Sequence, residues 1–312
     1  MRRVFVTGAT GFVGRHLAGR LSAAGYEVRS VSREDLGDPC DGENWLRALE
    51  AAGAGSVVHL IGKTHSPDAA DPSALPSYLS VNVDITGALL RACRRAGVRR
   101  FIYASSIKAV GEESDPGSSF SEESPCRPED SYGISKRRAE ELVLEEAGTV
   151  DAAIVRPPLV YGPGVKGNFH ALLSAVKRGI PLPLGGVRNA RSLVCAENLA
   201  LGIQLLLERE GPVSGIWHLA DDGAPSTPEL LRLVAEAFHV PSRIFPVPPA
   251  LLEGMAGLFG KGEAARKLTR SLVVSTEKAK RELGWAPPVS LREGIGAVCR
   301  WFSGRGEPGR AP

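Results

Sequence analysis

A turn with three regularly spaced glycines follows the first apolar run of the chain. Residues 4–6 have the composition of a strand, and residues 15–24 have the apolar spacing of a helix. A side chain at the glycine positions between them would block a tight turn or the approach of a pyrophosphate. The spacing therefore predicts a strand–turn–helix unit that binds a dinucleotide, with a glycine-rich turn that holds no ligand as the alternative. The residues that we predict to bind the cofactor here are Gly8, Thr10, Gly11, Phe12, Val13 and Gly14.

Short apolar runs alternate with helical patterns over the first two-thirds of the chain. Strands that are apolar on both faces and separated by helices indicate a parallel sheet covered on two sides. The predicted fold class is therefore α/β, a doubly wound parallel sheet of the Rossmann type with a smaller C-terminal substrate-binding lobe. The runs that carry this prediction are strands at 4–6, 28–31, 57–61, 101–104 and 153–155 and helices at 15–24, 83–96 and 135–146.

The composition of the sequence changes after Pro157, where prolines and glycines cluster. We predict that loops and short helices there form the smaller lobe, and that 191–220 returns to the main domain as a helix and a strand. The predicted division is a dinucleotide-binding domain at 1–163 with 191–220, a substrate-binding lobe at 164–190 and 221–303, and a frayed tail at 304–312.

The composition excludes several classes of protein. With 312 residues, 43% of them hydrophobic, the chain can bury a large core. A net charge of +3 gives no sign of a nucleic-acid partner. No apolar run approaches the roughly 20 residues of a membrane span, so no membrane insertion is predicted. The six histidines and five scattered cysteines lack metal-ligand spacing, so no metal site is predicted. An odd cysteine count without an apolar signal region predicts a cytoplasmic protein.

The end of the second predicted strand should distinguish NADP from NAD. An acidic residue about 20 positions after the glycines would hold the ribose 2′-hydroxyl of NAD. Ser32 and Arg33 occupy this place, and they can bind a 2′-phosphate that a carboxylate would repel. Glu34 and Asp35 come next, and a shifted turn would restore NAD. The sequence therefore favours NADP and keeps NAD as the alternative.

A tyrosine and a lysine lie one helical turn apart in the second half of this domain. An ammonium beside a phenol lowers a pKa that starts near about 10, which would make Tyr132 a proton shuttle assisted by Lys136. A surface pair is the default interpretation of this spacing, and the expected position after the fifth strand of the sheet favours catalysis. Ser106, with Ser105 as the second choice, ends a strand and can hydrogen-bond the same substrate oxygen. Ordinary strand-end serines are the alternative.

Together these motifs resemble the extended short-chain dehydrogenase/reductase family, in particular its nucleotide-sugar epimerase, dehydratase and reductase branch. The resemblance covers nearly the whole chain. The matching segments are 7–14, 59–62, 82–83, 105–106, 132–136, 156–157 and 160–164.

The resemblance implies a role for each matching residue. Tyr132 is the acid/base, Lys136 binds the nicotinamide ribose and tunes Tyr132, and Ser106 orients the sugar hydroxyl or ketone. Asn168 and Arg191 match positions that hold the nucleotide diphosphate, so they are predicted to bind the substrate. The cofactor-binding residues implied beyond the glycine turn are Ser32, Arg33, Leu60, Ile61, Gly62, Asn82, Tyr132, Lys136 and Pro158.

The resemblance also implies a reaction and a substrate. The stretch 105–108 and the loop 156–169 are most similar to proteins that handle UDP-hexosamines in surface-polysaccharide pathways. We predict an NAD(P)-dependent enzyme acting at carbon 4 of a UDP-hexose or UDP-hexosamine, and we favour reduction of a 4-keto-6-deoxy sugar over 4-epimerisation with retained NAD. A carbonyl reductase of a non-nucleotide ketone and a non-catalytic nucleotide-sensing module are further alternatives. Dehydration across carbons 5 and 6 is excluded, since Ile107 and Lys108 replace the Asp-Glu that it needs.

The sequence leaves two interpretations open for several residues and for one segment. Lys108 is predicted to bind the substrate, as an extra base facing the sugar or as a solvated pocket rim. His170 is an extra base or a packing residue, and Arg266 or Arg270 adds a second phosphate contact. Residues 248–260 form a membrane-lying helix or, as favoured because few basic residues flank them, core of the small lobe.

A homodimer is a further expectation from the family. It would form through the helices that follow Asn82 and Tyr132. The apolar positions that permit it are Leu89, Leu90, Leu142 and Leu144.

Overall fold

The computed structural model describes residues 2–64, 67–115, 117–258 and 262–304. Eight strands form a large and a small sheet. They are Arg2–Thr7 (β1), Tyr26–Arg29 (β2), Ser56–His59 (β3), Arg100–Ala104 (β4), Asp151–Arg156 (β5), Leu159–Tyr161 (β6), Leu193–Cys195 (β7) and Gly215–His218 (β8). The large sheet is entirely parallel, in the order β2-β1-β3-β4-β5-β8, and β6 pairs with β7 in the small one. The predicted Rossmann-type fold is confirmed.

Helices cover both faces of the large sheet and build a lobe beside it. Their bounds are Phe12–Ala23 (α1), Arg33–Leu36 (α2), Gly42–Ala52 (α3), Leu75–Leu79 (α4), Ile85–Arg95 (α5), Ser131–Glu146 (α6), Gly167–Lys177 (α7), Ala196–Glu208 (α8), Thr227–Ala237 (α9), Pro249–Leu258 (α10), Gly262–Thr269 (α11), Glu277–Leu283 (α12) and Leu291–Gly304 (α13). A π-helical turn, Ser80–Asp84, joins α4 to α5. Helix α6 follows the fourth strand, not the fifth as expected, because only loops and a 3₁₀ turn separate it from β4.

Alternating side chains of β1 show how the sheet is covered. Phe5 points to one face, where it packs in a core with Trp45 of α3 and with α5 and α6. Val4 and Val6 point to the other face, where α1 and α8 cover them. Burial on both faces explains why the strands read as continuous apolar runs rather than as an alternating pattern.

The lobe has a core of its own, formed mainly by α7, α9 and α13 around Tyr161 and Phe169. Helix α12 does not belong to this core. Its Ala279, with Trp285 just after it, packs among the side chains that cover the large sheet. The chain therefore returns to the large sheet a second time. The predicted division assigned all of 221–303 to the lobe and did not include this return. The predicted frayed tail lies, beyond Gly304, outside the described residues.

Two expectations about apolar surfaces need correction. Leu89 and Leu90 are fully buried inside the chain, against the sheet, so they are not available to a dimer interface. Helix α10 has no fully buried residue and contributes only the partly buried Leu252 to the lobe core, so the favoured interpretation of 248–258 as core is correct only at that position. Residues 259 and 260 of that predicted segment lie outside the described part of the chain. Among the residues that the structure describes, no helix has the length and apolar character needed to cross a membrane.

Candidate active site

The glycine turn closes tightly against itself at the carboxyl end of β1. A Cβ on Gly14 would lie 2.1 Å from the carbonyl oxygen of Gly8, so helix α1 approaches the turn at a distance that only glycine permits. Gly8 has a φ of +68°, which glycine adopts without strain. No side chain caps the start of α1, so its first N–H groups face the turn as an anion-binding end.

The turn lies at the switch point of the sheet, since the chain runs from β1 to β2 on one side and then to β3 on the other. A Cβ on Gly8 would meet the backbone of Leu60 and Ile61 at 3.2 and 3.3 Å. On the far side of the crevice, a Cβ on Gly62 would lie 3.1 Å from the Lys136 Nζ. The predicted cofactor residues of β1 and β3 thus border one crevice that extends to the predicted catalytic lysine. The narrow, glycine-lined backbone fits a dinucleotide.

The residues predicted to choose between cofactors form a small capped turn. Ser32 caps α2, and its Oγ accepts a hydrogen bond from the Asp35 N–H at 3.0 Å. The same hydroxyl donates to the Asp35 Oδ2 at 2.6 Å. Arg33 is exposed at the first position of the helix. The cap therefore holds the Asp35 carboxylate against the Ser32 hydroxyl, three residues beyond the end of β2.

Tyr132 lies in the first turn of α6, where helix geometry fixes it. Asp130 caps the helix by accepting the Gly133 N–H at 2.7 Å. The Tyr132 phenol shares a hydrogen bond with the Ser106 hydroxyl, so the structure brings the two predicted catalytic hydroxyls together. Burial raises the pKa of Tyr132 to about 12, while the Ser106 hydrogen bond opposes this rise. The expected lowering of the Tyr132 pKa is wrong for the protein alone, because desolvation dominates.

Lys136 lies one turn later, and two oxygen atoms of β4 hold its ammonium. Its Nζ donates to the Ala104 carbonyl at 2.8 Å and to the Tyr103 hydroxyl at 3.2 Å. Burial lowers the pKa of Lys136 to about 8, although the nearby Glu140 carboxylate favours the charged form. The lysine is held at the end of β4, next to Gly62.

The two serines at the end of β4 have different partners. Ser105 is buried and donates to the Glu140 Oε1 at 2.5 Å. Arg156, which is fully buried, donates to both oxygens of the same carboxylate from Nε and Nη2, at 2.8 and 2.6 Å. Ser105 is therefore committed to an internal ion pair, whereas the Ser106 hydroxyl contacts the Tyr132 phenol.

Asn82 supports the crevice from the π-helical turn. Its Oδ1 accepts the Lys63 N–H at 2.7 Å, and its Nδ2 donates to the Ser135 Oγ at 2.8 Å. Ser135 in turn donates to the Tyr132 carbonyl at 2.8 Å. Asn82 thus connects the loop after β3 to the first turn of α6, which fixes the orientation of the helix that carries Tyr132.

A buried histidine ends the chain of contacts behind Asn82. His59 lies between the Thr7 and Thr86 hydroxyls, at 2.7 Å from Nδ1 and 3.1 Å from Nε2. Burial lowers the pKa of His59 to about 3, so the ring is neutral at physiological pH. It acts as a neutral connector of β1, β3 and α5 rather than as an acid or base.

Lys108 faces two carboxylates. Its Nζ lies 2.6 Å from the Asp130 Oδ2 and 2.6 Å from the Glu112 Oε1. The side chain is only 15% exposed. Burial raises the pKa of Glu112 against the attraction of this ammonium. Lys108 therefore holds the N-cap of α6, a role that neither interpretation of the sequence included.

The predicted diphosphate residues lie at the border with the lobe. Burial lowers the pKa of Arg191, and the Glu112 carboxylate opposes this effect. Its Nη1 donates to the Arg270 carbonyl at 3.0 Å. Asn168 is exposed at the second position of α7. The Arg270 side chain reaches Glu253 and Glu113, so it is already paired.

The remaining predicted positions line the edges of the site. Pro158 is buried directly after Pro157, whose carbonyl accepts the Ile107 N–H at 3.0 Å. Phe12 lies against the loop at Gly162 and Gly164. His170 packs against Phe302, with ring centroids 4.9 Å apart, which agrees with its interpretation as a packing residue.

Sequence analysis did not predict the residues that position the side chains of the candidate site. Tyr103, Ser135, Asp130 and Glu112 contact or surround the catalytic group, yet each lies in an ordinary strand, helix or loop context. Only Asp130 carried a detectable signal, because an Asp before a helix start predicts an N-cap. The others become visible only when β4, α6 and the loop after β4 are brought together.

Comparison with known proteins places the chain in a family. Residues 4–220 match the model of the NAD dependent epimerase/dehydratase family. The chain belongs to that family. It is 34% identical over 315 residues to a UDP-glucose 4-epimerase of Vibrio cholerae, covering 96% of this chain and 95% of the relative. It is 27% identical over 320 residues to a GDP-6-deoxy-D-mannose reductase of Pseudomonas aeruginosa, covering 97% and 98%.

A solved structure agrees with this assignment. The UDP-glucose 4-epimerase of Thermus thermophilus in complex with NAD superposes with a TM-score of 0.77 at 26% identity, covering 97% of this chain and 99% of that one. The family resemblance predicted from the motifs is confirmed.

Proposed function

We propose that this protein is a UDP-sugar 4-epimerase that retains NAD through the catalytic cycle. The observation that carries the proposal is the hydrogen-bonded pair of Ser106 and Tyr132 hydroxyls beside Lys136, at the edge of the sheet where a dinucleotide fits. Such a pair can remove the proton from a sugar hydroxyl and return it. The likeness to a UDP-glucose 4-epimerase over nearly the whole chain supports epimerisation over the reduction favoured by the sequence alone.

The chain's own groups would divide the work as follows. Ser106 orients the sugar oxygen at carbon 4. Tyr132 must be the phenolate, which the positive charge of an oxidised nicotinamide nearby would favour, to accept the sugar proton, and as the phenol it later gives the proton back. Lys136 holds the ribose and supplies a positive charge at the end of β4. The nicotinamide supplies a hydride acceptor and donor. Epimerisation requires that the intermediate ketone presents its other face before the hydride returns, so the diphosphate, near Arg191, is the fixed part of the substrate.

The choice of NAD over NADP is supported by the turn at the end of β2. The Asp35 carboxylate is fixed on the Ser32 hydroxyl at 2.6 Å, at the place where the adenosine ribose would lie. A carboxylate there accepts hydrogen bonds from ribose hydroxyls and repels a 2′-phosphate. This proposal replaces the preference for NADP.

Mass spectrometry of the nucleotide released by denatured protein tests the cofactor, and incubation with single UDP-sugars without added cofactor tests the reaction. We expect released NAD and interconversion of UDP-glucose with UDP-galactose, or of their N-acetylated forms. Arg33→Glu should leave this activity intact, whereas Asp35→Arg should admit NADP.

Reduction of a 4-keto sugar stays a second candidate, because Arg33 is exposed beside the same turn and a GDP-6-deoxy-D-mannose reductase is similar over the whole chain. Consumption of added NADPH with a 4-keto-6-deoxy nucleotide sugar, together with no interconversion of UDP-sugars, would replace the epimerase by this reductase.

A further inference from the structure

A continuous series of buried polar side chains lies behind the candidate site and ends at Lys136. Thr7, His59, Thr86 and Tyr103 are each at most 2% exposed, and each shares a hydrogen bond with the next. The Tyr103 hydroxyl then meets the Lys136 Nζ at 3.2 Å. These five residues are here called the Thr86 network. The proposed reaction uses only its lysine, although buried polar groups are costly unless they are paired.

The donors and acceptors around Thr86 fix the direction of its hydrogen bonds. Its single hydroxyl proton goes to the Asn82 carbonyl, 2.7 Å from Oγ1. Thr86 Oγ1 can therefore only accept from its other two partners, the His59 ring and the Tyr103 hydroxyl. The His59 Nε2, 3.1 Å away, must then carry the ring proton, and Tyr103 must donate its own proton to Thr86.

The other ring nitrogen of His59 agrees with this assignment. Thr7 Oγ1 accepts the Leu60 N–H at 3.1 Å and lies 2.7 Å from the His59 Nδ1. The Thr7 hydroxyl proton can go to Nδ1, which accepts it only if the ring proton is on Nε2. Burial lowers the pKa of His59 to about 3, so the ring is neutral and this one tautomer satisfies both nitrogens.

The Tyr103 oxygen is consequently an acceptor for the lysine. Since its proton goes to Thr86, the phenol presents lone pairs to the Lys136 Nζ. Among the described residues, the second acceptor of this ammonium is the Ala104 carbonyl at 2.8 Å. Two of the three ammonium protons are thus held by β4, which leaves the third for a ligand in the crevice.

Tyr103 cannot act on a substrate itself. The side chain is fully buried, and its ring stacks on the His59 ring with centroids 5.8 Å apart. Burial raises the pKa of Tyr103 well above its usual range, and the Glu140 carboxylate and the Tyr132 phenol add to this rise. Tyr103 therefore stays a neutral phenol, and its reactive contact is with Lys136.

We propose that Tyr103 is the positioning residue of Lys136, and that Thr86 fixes the Tyr103 hydroxyl in the accepting orientation. The proposal rests on the proposed function, because that function gives Lys136 its catalytic role. An acceptor oxygen at the end of β4 holds the ammonium beside Gly62 and favours its charged form against burial.

The other ionisable groups near the ammonium come from two elements. Glu140 and Tyr132 lie on α6 with Lys136 itself, and His59 lies on β3. The Glu140 carboxylate favours the ammonium, whereas the His59 ring is neutral. All three stay in place in the variants that test the proposal.

Titration of Lys136 in the full-length protein tests the proposal without substrate or cofactor. Lysine labelled with carbon-13 at Cε reports the protonation of each side chain by NMR, and Lys136→Met identifies the Lys136 signal. We expect Tyr103→Phe to lower the midpoint by about 0.5–1 pH unit, because the ammonium loses one acceptor. Tyr26→Phe is the matched control: this phenol is also buried, but on the other face of the sheet, and its removal should leave the midpoint unchanged.

Thr86 offers a pair of variants that leave Tyr103 and Lys136 in place. Thr86→Ser keeps the hydroxyl and should keep the Lys136 midpoint. Thr86→Val keeps the shape but removes the acceptor, so the Tyr103 proton is no longer held away from the ammonium and the midpoint should fall. NMR of ring-labelled histidine should show His59 of the unmodified protein with its proton on Nε2.

The pH dependence of kcat connects this contact to the reaction. With a UDP-sugar that the protein interconverts, the alkaline limb of the kcat profile should move to lower pH in Tyr103→Phe by the same amount as the midpoint. KM for the sugar should change little. A purely structural defect would instead lower kcat at every pH without moving the limb.

The proposal is overturned if folded Tyr103→Phe titrates Lys136 as the unmodified protein does, or if Thr86→Val and Thr86→Ser give the same midpoint. A His59 proton on Nδ1 would remove the assigned direction of the hydrogen bonds, and a lowered midpoint with an unmoved limb would remove the role in catalysis. If the unmodified protein interconverts no UDP-sugar, the proposed epimerase fails, while the titration still decides whether Tyr103 positions Lys136.

Discussion

At the scale of single residues, burial decides how the candidate site behaves. Burial raises the pKa of Tyr132 to about 12 and lowers the pKa of Lys136 to about 8. Both groups thus favour the neutral form more than they would in water. In the protein without cofactor the phenol is therefore favoured over the phenolate at neutral pH. The proposed proton transfer requires the phenolate, which the Ser106 hydrogen bond favours and a bound, positively charged nicotinamide would favour further.

Replacement of the phenol tests the proposed proton transfer. Tyr132→Phe should lower kcat by about 10²–10⁴-fold, since the ring still packs but no group exchanges the proton. Ser106→Ala should lower kcat less, because orientation is lost but the acid/base stays. Steady-state kinetics on the UDP-sugar that the protein interconverts would measure both. Near-normal turnover of the Phe variant would exclude Tyr132 as the acid/base.

The buried lysine gives the folded state a predictable pH dependence. Its pKa of about 8 lies below the usual 10.5, so between these values the unfolded chain binds more protons than the folded one. Stability from this group therefore rises as pH increases from 8 to 10.5, and below pH 8 its burial costs up to about 3 kcal/mol. We expect Lys136→Met to gain stability relative to the unmodified protein at pH 7, with a smaller relative gain at pH 10. Urea denaturation of both proteins across this range measures the difference, and a pH-independent difference would contradict the shift.

At the scale of elements, the first strand, turn and helix form the part of the site that the sequence specifies most directly. Gly14 lets α1 begin against the carbonyl of Gly8, and the uncapped helix start faces the crevice. The catalytic helix depends on more distant groups, because Asp130 caps it and Lys108 holds that cap. The β1–α1 turn thus depends on residues close in the sequence, whereas the start of α6 requires the loop after β4 to be in place.

Two glycines of the same helix offer a matched test of the turn. Gly14→Ala would place a Cβ 2.1 Å from the Gly8 oxygen, so the turn must open. We expect a stability loss of about 1–3 kcal/mol and weaker dinucleotide binding. Gly19→Ala meets no atom within 4 Å and should be neutral or stabilising by up to about 1 kcal/mol. Thermal denaturation and calorimetric titration with NAD would compare them, and equal behaviour of the two variants would refute the close approach.

At the scale of the whole molecule, one buried carboxylate joins the small sheet, α8 and the lobe. Asp221 accepts hydrogen bonds from the Tyr161 hydroxyl at 2.9 Å, the Asn198 Nδ2 at 2.7 Å and the Cys195 N–H at 3.0 Å. Tyr161 belongs to the lobe core, whereas α8 covers the large sheet. The relative position of the two parts therefore depends on this group.

Removal of the Asp221 carboxylate should affect both parts together. Asp221→Ala leaves three buried donors without their acceptor, and we expect a loss of about 3 kcal/mol or more in the free energy of unfolding. Asp222→Ala is the neighbouring control: its side chain is 68% exposed and pairs with Lys280, so it should change stability by less than about 1 kcal/mol. Urea denaturation followed by tryptophan fluorescence measures both, and an equally small effect at Asp221 would remove it as the joint.

The sequence by itself determined the local and periodic features. The glycine spacing, the alternation of apolar runs and the Tyr-x-x-x-Lys spacing predicted the nucleotide turn, the parallel sheet and the catalytic pair, because each depends on residues close in the chain. The pKa directions, the side-chain partners and the burial of individual residues depend on contacts between distant parts of the chain, so only the tertiary structure decided them. It set the direction of the Tyr132 pKa through burial, engaged Lys108 with Asp130 and Glu112, and buried Leu89 and Leu90. Burial and charge at a point in space sum over residues far apart in sequence, which is why the sequence alone did not predict them.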